Sequence, residues 1–342
     1  MQLESCIIII AFVMGKDSTA QNLDLENWMR DLPAQLKDIP LIYLAIPGSH
    51  DSMTYGITRS SGLAPDAEPI LHRLYPLFRG TIIRWTITQA IDTQQQLLIG
   101  IRYFDLRLAT KKDASNFFFT HGLYAEEITK ALQQIKDFID SHPGEVVILD
   151  LQHFYGFTAE DHQKLMRYLL NLFGTKLVPR QIDLQAITLN SLSRLRQQVV
   201  VVYRYQSVNA ISEFWQSQLL PSPWPQQDRT TGLINFLHNI TRRPGIGFVH
   251  QAVLTPTPQF IVLRWISNLR EKCAVPVKNV VLPRLAELSP GPPLVKSPTQ
   301  FAPVNVVIAD FVDLDDAIFP RTIIELNLKL LRNTDLVYHN YG

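Results

Sequence analysis

An α/β chain organised around a parallel sheet is what this sequence predicts, and three observations predict it. Short β-branched runs alternate with longer amphipathic stretches. The strand-like runs are apolar throughout, as expected of strands covered on both faces. Polar residues recur just after those runs, where parallel α/β folds gather their functional groups. At this level the sheet is either doubly wound or closed into a barrel.

The elements follow in order. Leu41–Ile46 reads as a buried strand ended by Pro47-Gly48, Ile101–Leu108 as a second, and Phe117–Thr120 as a short third. Over Tyr124–Ser141 the apolar residues Ile128, Leu132, Ile135 and Ile139 fall on one helix face, and Pro143-Gly144 stops the helix. Val146–Leu151 is a fourth strand and Ala159–Phe173 the helix after it. Val199–Tyr203 is a fifth strand, nearly all valine. Gly247–Leu254 and Val304–Phe311 are further strands, and a helix is expected near Thr322–Leu331. Ser207–Pro244 lacks periodicity and reads as loops with one or two helices. The proline-rich Ala286–Pro303 reads as an exposed insertion.

Composition narrows the function classes. Hydrophobic residues make up 46% of the 342, enough for a substantial core and too many for a disordered chain. The 32 basic and 31 acidic residues nearly cancel, without the basic excess of a nucleic-acid binder. Cys6 and Cys273 are the only cysteines, which excludes a disulfide framework and a thiolate metal site. No apolar run is long enough for a transmembrane span. Cys6–Met14, followed by Ser18-x-Ala20, resembles the apolar core and cleavage site of a secretory leader, although no Lys or Arg precedes it. Residues 1–20 are therefore read as a signal peptide or an N-terminal extension. The balance favours secretion over a cytoplasmic chain peripheral to membranes, and Asn239-Ile240-Thr241 would then be a glycosylation sequon.

Seven polar clusters sit at strand ends: His50-Asp51, Asp105-x-Arg107, Thr120-His121, Gln152-His153, Tyr203-Arg204, His250-Gln251 and Asp310. Two histidines on different strand ends suit phosphoryl transfer, one taking a proton from the nucleophile and one giving a proton to the leaving oxygen. A carboxylate such as Asp51 or Asp310 fixes an imidazole tautomer, and Arg107 matches two phosphate oxygens at once. His72, His142, His162, His238 and His339 sit in contexts that suggest packing. Trp224 is read either as a lipid-facing rim residue or as core.

An ordered series of motifs carries a resemblance. It runs through Ile46-Pro47-Gly48-Ser49-His50-Asp51-Ser52, Trp85-Thr86-Ile87-Thr88-Gln89, Gly100-Ile101-Arg102-Tyr103-Phe104-Asp105-Leu106-Arg107 and Phe119-Thr120-His121-Gly122-Leu123. It continues through His142-Pro143-x-Glu145-Val146-Val147-Ile148-Leu149-Asp150, Gln251-Ala252-Val253-Leu254-Thr255-Pro256 and Asn305-Val306-Val307-Ile308-Ala309-Asp310-Phe311. Over residues 24–335 the chain resembles the stand-alone phosphatidylinositol-specific phospholipase C X-domain proteins of animals. The resemblance implies a single-domain, distorted TIM-like (β/α) barrel that meets a phosphoinositide lipid peripherally at a membrane surface. It implies that His50 is the general base toward the inositol 2-hydroxyl and His121 the general acid toward the diacylglycerol oxygen, giving inositol 1,2-cyclic phosphate. Asp310 would pair with His50, Asp51 with His121, and Asp105 would orient Arg107. Arg204 would contact inositol, with Gln152, Gln251 and Trp224 as further substrate-binding residues. Calcium-dependent relatives carry carboxylates at the positions of both Asp105 and Arg107 and a glutamate near Gln152. Arg107 and Gln152 depart from that pattern, so no metal and no other cofactor is expected. The competing expectations are a barrel that binds headgroups without turnover and a metal-dependent glycerophosphodiesterase.

Overall fold

The computed structural model describes residues 23–181, 183–205, 211–293 and 302–333. The leader-like residues 1–20 and His339 lie outside the described residues. Among the described residues nine strands form one sheet: β1 (Ile46–Ser49), β2 (Tyr103–Thr110), β3 (Phe117–His121), β4 (Leu123–Glu127), β5 (Val147–Tyr155), β6 (Val199–Tyr203), β7 (Phe214–Trp215), β8 (Val249–Gln251) and β9 (Val306–Ala309). The order β7-β6-β5-β2-β1-β9-β8 is parallel throughout. β3 and β4 form an antiparallel hairpin on the end of β2.

The sheet curls into a TIM-like barrel, and side-chain alternation shows how. In-register neighbours project to the same face. Tyr103 is matched with Gly48 and Ile148, Ile148 with Val200, and Gly48 with Ile308. This set packs inward against Trp28, Met29, Leu36, Leu41 and Ile42, so the chain before β1 plugs the N-terminal end of the barrel. The alternate set (Phe104, Leu106, Leu149, Val201 and Val307) faces the helices. Between β7 and β8 the ring is joined by main-chain bonds, Gly247 N to Leu219 O at 3.0 Å and Val249 N to Pro221 O at 2.9 Å.

Helices cover the outer face. α1 (Trp28–Asp31) belongs to the plug. α2 (Leu71–Thr86) and α3 (Thr93–Leu98) fill the β1–β2 connection. α4 (Ile128–Ser141) buries Ile128, Leu132, Ile135 and Ile139 as its periodicity predicts, and Gly144 at φ +96° supplies the left-handed turn after it. α5 (Ala159–Phe173) starts at a reciprocal cap in which the Thr158 and Asp161 side chains each bond the other's backbone N–H. Further α-helices among the described residues are α6 (Leu189–Leu195), α7 (Thr230–Asn239), α8 (Pro258–Val262), α9 (Leu282–Ala286), which continues π-helical turns at Arg270–Ala274 and Val277–Val281, and α10 (Leu314–Glu325).

Several expected boundaries move. Leu41–Tyr43 is a 3₁₀ turn and the strand starts at Ile46, because the run is apolar for its role as plug. The first residues of the expected helix at Tyr124 pair with β3 as β4, and the helix starts at Ile128. Helix near the C-terminus spans Leu314–Glu325, broken near its start by left-handed backbone at Asp315, Asp316 and Ala317, with a 3₁₀ helix over Leu326–Asn333. The proline-rich insertion is only partly exposed where it is described: Glu287 and Ser289 are exposed, whereas Pro290 and Gly291 are buried and Pro290 pairs with Val304. Its residues 294–301 lie outside the described residues.

One buried ion pair ties the plug to the barrel. Arg102 and Glu145 are both wholly buried, with Nε to Oε2 at 2.8 Å. Arg102 also donates to the carbonyls of Leu97 and Glu26, and Glu145 accepts from the backbone of Arg30 at 2.8 Å. Every face of the pair is satisfied, and removing one partner leaves an uncompensated charge. Glu145→Ala should therefore destabilise the fold by about 3–5 kcal/mol, read as a lower urea midpoint. An unchanged midpoint contradicts this role.

Candidate active site

β1 is central to the mouth of the barrel. Gly48 has no room for a side chain, since a Cβ there would lie 2.7 Å from Tyr103 Cδ1 and 2.9 Å from Ile308 Cγ2. This lets β2 and β9 close on β1, so the residues that follow β1 and β9 meet side chains from within β2. His50 follows β1, Asp310 follows β9, and Asp105 and Arg107 project inward from β2. Asp51 takes a left-handed φ of +40°, one of the conformations in which aspartate is over-represented. That turn brings its carboxylate back under the histidines.

His50 Nδ1 lies 2.7 Å from Asp310 Oδ1. Its Nε2 stands between partners that favour opposite protonation states. Asp51 Oδ2 at 3.3 Å accepts from an N–H there, whereas Arg107 Nη2 at 3.2 Å donates only to a bare nitrogen. Burial alone would depress the imidazolium, but the charges of Asp51 and Asp310 outweigh it and push His50 up to about 9. Asp51 is pulled the other way. Burial raises its carboxyl, yet Arg107, His121 and His50 together hold it below the usual carboxylate range. Asp105 is lifted by burial to about 6, with Arg107 opposing.

His121 sits at the end of β3, on the hairpin, with its ring centroid 6.3 Å from that of His50 and the planes at 75°. Its Nδ1 is 2.7 Å from Thr86 O, so Nδ1 carries the hydrogen and Nε2 points into the mouth, 3.2 Å from Asp51 Oδ2. Arg107 Nε contacts Asp51 Oδ1, while Asp105 Oδ2 is 3.9 Å from Nη2. Asp51, not Asp105, is therefore the nearer carboxylate to Arg107, a consequence of the left-handed turn at residue 51.

The outer residues divide. The Trp224 ring is half-buried, 5.2 Å from that of His50 and 5.6 Å from the Arg107 guanidinium, so it walls the mouth and is not core. Arg204 is held in a fork by buried Asp150, at 2.8 and 2.7 Å, and also donates to Leu220 O. Gln152 bonds Tyr103 Oη and Asp150 at 3.2 Å. Gln251 Nε2 donates to Ser222, while its Oε1 is buried without a hydrogen bond. A register shift on β5 places His153 opposite Arg107. His250 turns away from the mouth, packs on Phe248 among the outer-layer residues, and is depressed by burial to about 3. His162 bonds Tyr203 Oη and stacks on Tyr205.

Three positioning groups carry no signal in local spacing. Gln89 donates to His50 O at 2.9 Å and Ala309 O at 3.0 Å, and accepts from Val312 N, clamping the two strand ends that carry His50 and Asp310. Thr88 Oγ1 contacts the His50 and Asp51 carbonyls. Asp66 accepts from Thr120 Oγ1 and Gly122 N, fixing the turn of His121. The Trp85–Gln89 motif was visible without a role, and Asp66 sits in an ordinary turn. His50, Asp51 and Asp105 offer ligand atoms within 4.8 Å of one another, a donor set a divalent cation would accept. The Arg107 guanidinium lies against the same oxygens and competes for them.

Comparison with known proteins follows this geometry. The family description "Phosphatidylinositol-specific phospholipase C, X domain" matches residues 84–205. "PI-PLC X domain-containing protein 3" of Mus musculus is 35% identical, the alignment covering 92% of this chain and 97% of that one. "PI-PLC X domain-containing protein 1" of Homo sapiens is 34% identical, with 90% and 93% covered. Among solved structures, a phosphatidylinositol-specific phospholipase C from Staphylococcus aureus superposes with a TM-score of 0.58 at 16% identity, covering 89% of this chain and 98% of that one. The Listeria monocytogenes protein of that name gives 0.55 at 17%, with the same coverage. At such identities the two structures show a common fold.

The electrostatics of His50 can be tested directly. Its imidazole should titrate well above the usual histidine range of about 6.5, and Asp310→Asn, which removes a negative charge, should move it down. Site-resolved NMR titration checks both. An ordinary value in the unmodified chain contradicts the charge arrangement.

Proposed function

The chain belongs to the phosphatidylinositol-specific phospholipase C X-domain family, and from that premise we propose that it cleaves a phosphoinositide phosphodiester by acid–base catalysis between His50 and His121. The observation that carries the reading is the Asp51 carboxylate, which faces Nε2 of both imidazoles and Arg107 at once. Neutral His50 takes the proton of the inositol 2-hydroxyl at Nε2, with Asp310 stabilising the imidazolium that forms. The 2-oxygen bonds to phosphorus, the bond to the diacylglycerol oxygen breaks, and His121 Nε2 donates the proton that oxygen needs. Inositol 1,2-cyclic phosphate and diacylglycerol result. Arg107 bears permanent charge beside the transferring phosphorus and stabilises its developing charge. Trp224 offers an apolar wall, and Arg204 and Gln152 meet the inositol hydroxyls.

Because His50 acts as base only when neutral, kcat/KM should rise with pH along a limb above the ordinary histidine range. His50→Ala and His121→Ala should each lower turnover by about 10²–10⁴-fold while the fold persists. Product analysis on phosphatidylinositol vesicles checks this, and two folded variants losing less than threefold contradict it. Arg107 supports a reaction independent of divalent ions, so chelation should leave the rate unchanged. Loss on chelation with recovery on adding calcium would favour a metal-dependent diesterase at His50, Asp51 and Asp105 instead. One observation favours a second reading, headgroup binding without turnover: the protein's own carboxylates hold His50 toward its protonated form. Retained headgroup binding with no cyclic product at any pH would establish it.

A further inference from the structure

Different parts of the molecule carry the two imidazoles of the proposed reaction. His50 is held by the barrel ladder, its backbone N–H donating to Ala309 O at 3.1 Å. His121 lies beyond that ladder. β2 pairs with β3 only as far as Leu108 and Phe119, and the next two residues, Thr120 and His121, pair with β4 alone. Resting on the reaction read above, we propose that the general acid is set from outside the barrel, by the connection between β1 and the end of α2, with Asp66 as its positioning residue.

That connection grips the hairpin tip from several sides. Leu63 bridges Leu123 in antiparallel fashion, with Ala64 N donating to Gly122 O at 3.1 Å and Tyr124 N to Gly62 O at 3.0 Å. Asp66 closes on the two residues flanking His121: Oδ1 accepts from Thr120 Oγ1 at 2.6 Å and Oδ2 from Gly122 N at 2.7 Å. The end of α2 supplies the contact to the ring, Thr86 O accepting from His121 Nδ1 at 2.7 Å. α2 also holds the loop itself through Tyr75, whose hydroxyl donates to Ser61 O at 2.5 Å. Residues 61–86 therefore fix His121 at both neighbours and at its ring, and leave Nε2 facing the mouth.

The donors dictate the residue type at position 66. A hydroxyl and a backbone N–H meet it at once, and a carboxylate offers an oxygen to each, whereas an amide would turn its NH₂ toward one of them. Gly122, at the hairpin tip with φ +66°, turns its N–H toward Asp66. Loss of Asp66 frees this tip while the ladder bond of His50 and its pairing with Asp310 remain. The chemical consequence is selective. In the proposed step the bond from phosphorus to the leaving oxygen breaks, and that oxygen takes the proton of His121 Nε2. An alkoxide needs this proton, whereas a nitrophenolate departs as the anion. Displacing the acid by about an ångström should therefore suppress the first departure and spare most of the second.

Two water-soluble inositol phosphodiesters test this, one of a primary alcohol and one of nitrophenol. D66A should lower kcat on the alcohol ester by about 10–100-fold and on the nitrophenyl ester by less than about threefold. H121A should show the same split more steeply, whereas H50A should lower both alike, because both esters need the 2-hydroxyl deprotonated. Adding D66A to H121A should lower alcohol-ester turnover by less than about a further twofold, since the residue it positions is gone. D66N keeps one acceptor, should fall between D66A and the unmodified chain, and carries the test if D66A does not fold. NMR gives a readout independent of turnover. The His121 Nδ1–H resonance, protected by Thr86 O, should be lost to solvent exchange in D66A and weakened in D66N, while that of His50 stays. Equal losses on both esters, full additivity with H121A, or undiminished alcohol-ester turnover in the folded variant overturns the proposal. If the unmodified chain cleaves neither ester, the reaction fails and the resonance decides alone: selective loss at His121 leaves the positioning role standing, and an unchanged His121 signal refutes it.

Discussion

The mouth of this barrel depends on the close approach of β9 and β2 to either side of β1. Only a glycine at position 48 allows Tyr103 and Ile308 to pack so near that strand. With β1 in place, parallel register does the rest. It pairs Ser49 with Ala309 and with Phe104, so the next residues along, His50, Asp310 and Asp105, open into one space. Gln89 then bridges the carbonyls of His50 and Ala309, so the separation of the two strand ends is fixed by a side chain as well as by the ladder.

Charge in this space is balanced within a few ångströms. Three carboxylates, from Asp51, Asp105 and Asp310, face the Arg107 guanidinium and two imidazoles. Isolated buried carboxylates would be costly, and here each has a cationic or proton-donating neighbour. Asp51 has the most such neighbours and is held ionised, whereas Asp105, with Arg107 farther off, is lifted toward neutrality. In the proposed reaction a phosphodiester entering the mouth would bring another negative charge and compete with Asp51 for Arg107 and both histidines. On that reading the free protein holds a carboxylate against the same cationic groups that the phosphate would meet.

Legibility in the sequence followed locality. Val199–Tyr203 was readable to the residue, because a strand covered on both faces is apolar without interruption. Ala159–Phe173 was equally plain, with a cap and a one-sided stripe that belong to the helix alone. α2 was not, since Pro76 and its outward-facing Leu77 and Phe78 leave no one-sided period. β7 is two residues long and owes its existence to β6. At the site, the polar residues after strands were visible as a class. What they touch was less so: Asp51 displaces Asp105 as the nearest carboxylate to Arg107 through a backbone turn that spacing does not encode. Gln89 acts on main-chain groups 39 and 220 residues away, and nothing local announces that.

The separation of the partners along the chain has a consequence for biogenesis. β1 is made early, but its neighbour β9 follows some 260 residues later, and Ala45 waits even longer for the Asn327 side chain. During synthesis β1 can pair with β2 while its other edge stays open, with an apolar plug beside it that has only part of a barrel to fill. Contacts of such long range delay closure, and incomplete chains expose strand edges to other chains. The ring completes only once the C-terminal part has been made, so a nascent or shortened chain would hold both histidines before it holds the pocket that tunes them.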